Sequence, residues 1–256
     1  MNYGMYVSAA GALANSYRHD VIANNLANVE TVAFKPDLAM FEARRTAAQD
    51  SGQGSYTTAM LEQLGGGIFA LPTHTDFSPA SLDQTGGTFD LALIGRGFFQ
   101  IQDSRAPGEI SYTRDGRFTY NEKNELVTVA GSLPVLDEKG KPIVINPKLS
   151  DFHVDEMGLI TQQDTVLGRI GVVDFDDTRQ LEKRGQNVFM APEGMLAEPI
   201  SARIRQGALE NSGVSPLEEL TKMIKVQRLF QSNINMMMMQ DRSLGLAVSR
   251  MGNINV

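Results

Sequence analysis

The acidic run Asp174-Phe175-Asp176-Asp177 is a natural first candidate for a cation site, because Ca²⁺ and Mg²⁺ take carboxylate oxygens. Its spacing does not match an EF-hand loop, and it follows the apolar pair Val172-Val173 at the expected end of a strand. A solvated turn is the better reading. Gly95-Arg96-Gly97-Phe98-Phe99 shares only its first glycines with a phosphate-cradling loop. The later Gly, the P-loop Lys and the strand-to-helix context are missing, so it reads as a tight β turn feeding two core aromatics. His19, His74 and His153 lie far apart with no ligand spacing, and no Gly-x-Ser-x-Gly elbow supplies a nucleophile. The chain has no cysteine, which excludes disulfides and thiolate metal sites. The sequence thus predicts no catalytic residues, no metal site and no cofactor, and the chain is not expected to be an enzyme.

Composition narrows the class further. At 256 residues, with 42% hydrophobic and 21% charged, the chain is long enough for a sizeable core and too apolar for a disordered one. A formal charge of −7 argues against a nucleic-acid groove, which needs a basic stripe. No apolar run approaches the ~20 residues that cross a bilayer. The start, Met1-Asn2-Tyr3-Gly4, lacks the positive charge of a signal peptide, and Gly11 interrupts its apolar stretch.

With no chemistry to place, the elements themselves carry the information. Ser215-Pro216-Leu217-Glu218 is a strong helix start, combining a capping Ser, a Pro in the first turn and a capping-box Glu. From Pro216 to Met251 that helix would run roughly 54 Å. One stripe along it reads Met223, Val226, Phe230, Asn233, Met237, Gln240, Leu244, Ala247, Met251. A second reads Leu217, Leu220, Ile224, Gln227, Gln231, Ile234, Met238, Asp241, Gly245, Val248, and Leu229, Met236, Met239 and Leu246 fall on neither. Such a helix needs partners on more than one side. The run Met236-Met237-Met238-Met239 is a soft, adaptable surface suited to several packings.

The first ~28 residues predict a second helix, with Tyr6, Ala10, Leu13, Tyr17 and Val21 on one line and Ile22, Leu26 and Val29 on its neighbour. Ser8, Ala9, Ala10, Ala12 and Ala14 are small enough for another backbone to approach. The cluster Asn24, Asn25 and Asn28 ends the helix and fastens the next loop, since Asn competes for backbone hydrogen bonds. Pro36 extends Lys35, residues 37–46 are expected to add a helical turn or two, and 49–56 form a polar flexible stretch before the Gly65-Gly66-Gly67 break.

From Ile68 onward the pattern is β. Strands are expected around Phe89–Leu93, Phe98–Gln102, Leu126–Val129, Ile143–Ile145, Val166–Phe175, Val188–Met190 and Ile200–Ile204, with a hairpin over Tyr112–Tyr120 turning at Asp115-Gly116. The β core is assigned Phe89, Leu91, Leu93, Phe98, Phe99 and Phe118. The fold class is α+β: a mainly-β middle domain (68–215) on a coiled-coil-like stem of paired terminal helices (1–35 and 216–256), with an extended linker at 36–67. The helix-packing residues on the C-terminal side are Leu220, Met223, Ile224, Val226, Phe230, Ile234, Met237, Met238 and Leu244.

Three blocks say more than pattern can. They are Ile22-Ala23-Asn24-Asn25-Leu26-Ala27-Asn28-Val29-Glu30-Thr31-Val32-Ala33-Phe34-Lys35; Thr88-Phe89-Asp90-Leu91-Ala92-Leu93-Ile94-Gly95-Arg96-Gly97-Phe98-Phe99 with Tyr112-Thr113-Arg114-Asp115-Gly116-Arg117-Phe118; and Gly207-Ala208-Leu209-Glu210-Asn211-Ser212-Gly213-Val214 leading into Met223–Phe230. In this order they resemble the signatures of the bacterial flagellar rod and hook family and frame almost the whole chain. Ala33 stands where the family commonly has Gly, and Gly213 where Asn is frequent.

The resemblance implies a structural subunit of the flagellar basal-body rod, in the periplasm, exported by the flagellar type III apparatus without a cleaved signal peptide. It implies a helical homopolymer built through the terminal helices to carry torque from motor to hook. Partners would be further copies, other rod and hook proteins and surrounding bushing-ring proteins, with no nucleic acid and no membrane insertion. Asn24, Asn25, Leu26, Ala27, Asn28 and Phe34 form the N-terminal assembly motif in this reading. The distal rod protein and the longer proximal rod protein both fit. The alternatives are a β-rich, adhesin-like binding module on a coiled-coil stalk and, more remotely, a hydrolase with residues scattered over the β loops.

Overall fold

The computed structural model describes residues 3–44, 67–103, 109–147, 149, 152–163, 165–200 and 202–252. The expected flexible stretch at 49–56 and the glycines at 65 and 66 lie outside them. Two helices bracket the chain, α1 (Tyr3–Ala27) and α2 (Pro216–Gly252), and strands occupy what lies between, so the class is α+β. The chain divides into two compact units. One holds Met1–Ala27, Asp37–His74 and Pro216–Val256; the other holds Asn28–Pro36 and Thr75–Ser215. This border departs from a break after residue 35: the segment after α1 belongs with the strands, and Ile68–His74 belongs with the helices.

In the helical unit α1 and α2 run antiparallel, with Gly4 opposite Gln240 and Gly11 opposite Asn233. A Cβ on Gly4 would lie 2.9 Å from Gln240 Nε2, and one on Gly11 3.1 Å from Asn233 Nδ2. Small residues therefore set the helix spacing, and Ser8, Ala12, Ile22 and Asn25 are the buried face of α1. The expected line Tyr6-Ala10-Leu13-Tyr17-Val21 is not the buried face of α1. Tyr6 and Leu13 are exposed, because long side chains there would hold the two backbones apart.

Residues 37–43 are not helical. They form β1 (Asp37–Ala43), paired with β2 (Ile68–Thr75) in a two-stranded ribbon. The cause is a side-chain clamp: Asn25 Nδ2 donates to Asp37 O and its Oδ1 accepts from Asp37 N, both at 2.9 Å, holding an extended start after Pro36. Phe41 then turns to α1, its ring 6.0 Å from that of Tyr17 and under the Arg18 guanidinium.

The second unit is built on an antiparallel six-stranded sheet. Its strands are β3 (Leu82–Gln84), β4 (Leu91–Ile94), β5 (Phe98–Gln102), β6 (Ile110–Thr113), β7 (Phe118–Tyr120), β8 (Leu126–Thr128), β9 (Phe152–Val154), β10 (Leu159–Gln162), β11 (Thr165–Arg169), β12 (Val172–Asp174), β13 (Glu182–Gly185), β14 (Val188–Met190), β15 (Glu198–Pro199), β16 (Arg203–Gln206) and β17 (Ala208–Glu210). The large sheet runs β13-β14-β6-β5-β12-β15; β11-β10-β9 form a second, and β16-β4, β17-β3 and β7-β8 are pairs. Successive strand residues face opposite sides, so burial of both Phe98 and Phe99 means that β5 is covered on both faces. Phe99 joins Leu91, Leu93 and Phe118 in the larger apolar cluster, with half-buried Phe89 packed on its rim. Phe98 joins Tyr112, Val173, Phe175, Leu181 and Phe189 in a smaller one.

Several local expectations are overturned. Tyr112–Tyr120 is not a hairpin: β6 pairs with β5 and β14, while β7 pairs with β8. Asp115 instead caps the connection, accepting from Arg117 N at 3.1 Å. Gly116 is needed for closeness, since a Cβ there would lie 1.6 Å from Leu91 O. Val166–Phe175 is two strands, β11 and β12, divided at Ile170-Gly171; residues 143–145 make only an isolated bridge, and the Ile200–Ile204 strand starts at Arg203. Gly116→Ala is expected to cost about 3 kcal/mol, the upper end for overpacking, because the obstruction is backbone. A urea midpoint within error of wild type would refute it.

Candidate assembly surface and its anchor

The glycine turn and the acidic run, read from the sequence as structural, are held by local partners. Gly95 and Gly97 adopt φ of +98° and +119° in the turn between β4 and β5. Between them Arg96 reaches Asp174 at 3.3 Å and donates to Phe175 O at 3.2 Å. Asp177 caps the 3₁₀ turn Thr178–Gln180, accepting from Arg179 N. His19, His74 and His153 sit in α1, β2 and β9.

The assigned residues of α2 separate by stripe with two exceptions, Phe230, exposed on the first, and Ile234, half-buried on the second. Val226 is buried, and Met223, Asn233, Ile234, Met237, Gln240 and Leu244 are half-buried. Leu220, Ile224, Phe230 and Met238 are exposed in the single chain. The second stripe is therefore largely uncovered along the helix: Leu217 is 75% exposed, Ile224 53% and Val248 70%. A soluble single chain has no physical reason to keep such a row in water.

The N-terminal motif divides between the two units. Asn25 and Leu26 lie in the helical unit, Asn25 gripping Asp37 as described, while Asn24 and Ala27 are exposed at the end of α1. Asn28 and Phe34 belong to the strand unit. Asn28 O accepts from Thr31 N at 3.1 Å and from Ser212 Oγ at 3.0 Å. Phe34 is buried, with Lys183 Nζ 4.8 Å from its ring centre.

Sequence reasoning missed the feature that ties this segment down. Lys35 is fully buried; its Nζ donates to Glu210 Oε1 and to Ser78 O, each at 2.7 Å. Glu210 Oε1 also accepts from Ala80 N at 2.8 Å, and Oε2 from Arg114 Nη1 at 3.3 Å. Arg114 spends Nη2 on Gly95 O at 2.6 Å and lies over the Phe98 ring. The backbone follows: Ala33 N donates to Glu210 O, Gly213 N to Phe34 O, Lys183 Nζ to Lys35 O, and Asn187 Nδ2 to Val32 O. Burial lowers the pKa of the Lys35 ammonium, with the Glu210 carboxylate opposing that shift. Burial likewise lowers Arg114, again against Glu210.

Lys35, Arg114 and Glu210 each come from a different one of the three blocks singled out in the sequence. The available signal was opposite charges set among small and apolar neighbours, Ala33-Phe34-Lys35-Pro36 and Ala208-Leu209-Glu210. Ala33 shows what the segment tolerates: it is fully buried at φ +54°, a left-handed conformation that costs a non-Gly residue ~1–2 kcal/mol.

Comparison with known proteins agrees with the blocks. Residues 5–35 match the family described as flagella basal body rod protein, 92–162 the flagellar hook protein FlgE/F/G D1 domain, and 205–250 the flagellar basal body rod FlgEFG protein C-terminal region. The chain is 36% identical over 256 residues to the flagellar basal-body rod protein FlgF of Caulobacter vibrioides, covering 100% of both chains. It is 32% identical to FlgF of Mesorhizobium japonicum, covering 98% of this chain and 99% of that one. With FlgG of Buchnera aphidicola subsp. Schizaphis graminum the identity is 31%, over 94% of this chain and 96% of the relative. Matches of this extent, through all three blocks, establish that the chain belongs to the flagellar basal-body rod protein family.

Proposed function

We propose that this structural rod subunit polymerises helically through α1 and α2, and that the polymer carries torque from motor to hook. The observation that carries the reading is the uncovered apolar stripe of α2, from Leu217 through Ile224 to Val248. Covering a Leu, Ile or Val fully is worth ~1.5–3 kcal/mol, and one row repeated on every copy can be covered by neighbouring copies without a second protein. The Asn25 clamp fixes where α1 hands over to the ribbon. In this reading the assembly motif and the helix-packing residues act by shape, and the chain has no catalytic step. Other rod and hook proteins, bushing rings and the type III export apparatus are its proposed further partners, with the periplasmic rod as its place.

The test is electron microscopy of concentrated full-length protein beside a chain lacking 1–27 and 216–256. The cut falls at 27 because Lys35 and the segment around it belong to the strand unit. Filaments from the full chain alone are expected; filaments from the shortened chain would refute assembly through the helices.

A further inference from the structure

The family relationship does not explain why four of the chain's 13 methionines stand in a row on α2. Met236, Met238 and Met239 are 49%, 57% and 67% exposed. Met237 is half-buried, on the stripe whose Asn233 and Gln240 face the glycines of α1. A helix of this kind presents three exposed methionine side chains within about one turn and keeps a fourth back, in the same sequence context. We propose that Met236, Met238 and Met239 form a site of reversible sulfoxidation, open to hydroperoxides in the free subunit and closed by a neighbouring copy in the polymer. Oxidation before assembly then blocks assembly. This rests on the polymerisation reading above.

The step is a two-electron transfer. The thioether sulfur attacks one peroxide oxygen, the O–O bond breaks, an S–O bond forms, and hydrogen peroxide leaves as water. A dithiol reductant reverses it, giving thioether, water and a disulfide. The physical consequence follows from the change in the group. A thioether is soft and a weak acceptor, suited to repacking against apolar neighbours. A sulfoxide is polar and chiral, and its oxygen needs a donor once water is excluded. Leucine in these positions would supply similar apolar area without this sensitivity.

The experiment treats full-length subunits with hydrogen peroxide, removes the excess with catalase, maps sulfoxides by peptide mass spectrometry and measures the concentration at which filaments sediment. Met236, Met238 and Met239 are expected to oxidise before Met237. The assembly threshold should then rise roughly tenfold or more, as expected for losing buried Met contacts. The triple variant M236L/M238L/M239L should assemble untreated and keep assembling after the same dose. Met157, 62% exposed in the strand unit, serves as the control that oxidises in both proteins. In preformed filaments the three sulfurs should be protected while Met157 is not. An unchanged threshold with all three oxidised overturns the proposal. So does equal loss of assembly by the treated triple variant, or equal oxidation in filaments and subunits. Failure of the untreated wild type to assemble would instead sink the polymerisation reading, and this site with it.

Discussion

Glu210→Ala is expected to lower the unfolding free energy by about 3–5 kcal/mol, the cost of removing one partner from a buried ion pair. The carboxylate is the acceptor for Lys35, Arg114 and Ala80 N at once. Its loss strands two cations, Lys35 fully buried and Arg114 nearly so. Domains of this kind hold only ~5–15 kcal/mol in total, so the change removes a large share. The urea midpoint of the full-length variant measures it. A second variant separates charge from shape: K35M/R114M/E210L replaces the whole cluster with apolar groups, which buried pairs often tolerate. The triple change should recover most of the loss. A Glu210→Ala midpoint matching wild type would show that the cluster carries little of the stability.

Ile224→Asp is expected to abolish assembly while leaving the single chain as stable as before. Ile224 is 53% exposed there, so the new charge stays in water until a neighbour covers it. Burying an unpaired carboxylate and losing an apolar side chain together raise the assembly threshold roughly hundredfold or more. Val226→Asp, on the buried stripe two residues away, should differ in kind: it separates α1 from α2 and lowers stability as well. Sedimentation and urea unfolding of both variants read the two effects independently. Ile224→Asp filaments at the wild-type threshold would remove the second stripe from the assembly surface.

The contrast between Ile224 and Val226 marks how far the sequence alone reaches. Both stripes of α2 are legible as heptad-like periodicity, because burial and helical spacing leave a mark within a few turns. Which stripe meets α1 is not written there. It depends on the small-residue face of α1, where Gly4 and Gly11 admit Gln240 and Asn233, and that pairing is a property of two distant segments. The apolar line through Tyr6 and Leu13 misleads for the same reason.

The strand unit shows a similar divide. Phe98-Phe99 as core, the turn at Gly95-Arg96-Gly97 and the structural roles of the acidic run follow from local chemistry. Asp115-Gly116 has the composition of a hairpin turn, yet the burial of Arg114 against Glu210 and the approach of Gly116 to Leu91 send β6 and β7 to different partners. Strand 37–43 was hidden because its cause is a side-chain clamp from Asn25, twelve residues earlier.

By itself the sequence determined the element types at both ends, the α+β class, the family, and the presence of more apolar helix surface than one chain can bury. These depend on periodicity, capping and blocks of neighbouring residues, all of which are local. Only the tertiary structure decided that Lys35, Arg114 and Glu210 meet, that Asn28–Pro36 is counted with the strands, and which face of α2 is left uncovered. Those outcomes depend on contacts between distant residues, 96 positions apart for Arg114 and Glu210 and 175 for Lys35 and Glu210, where chain closure rather than local propensity selects the partner.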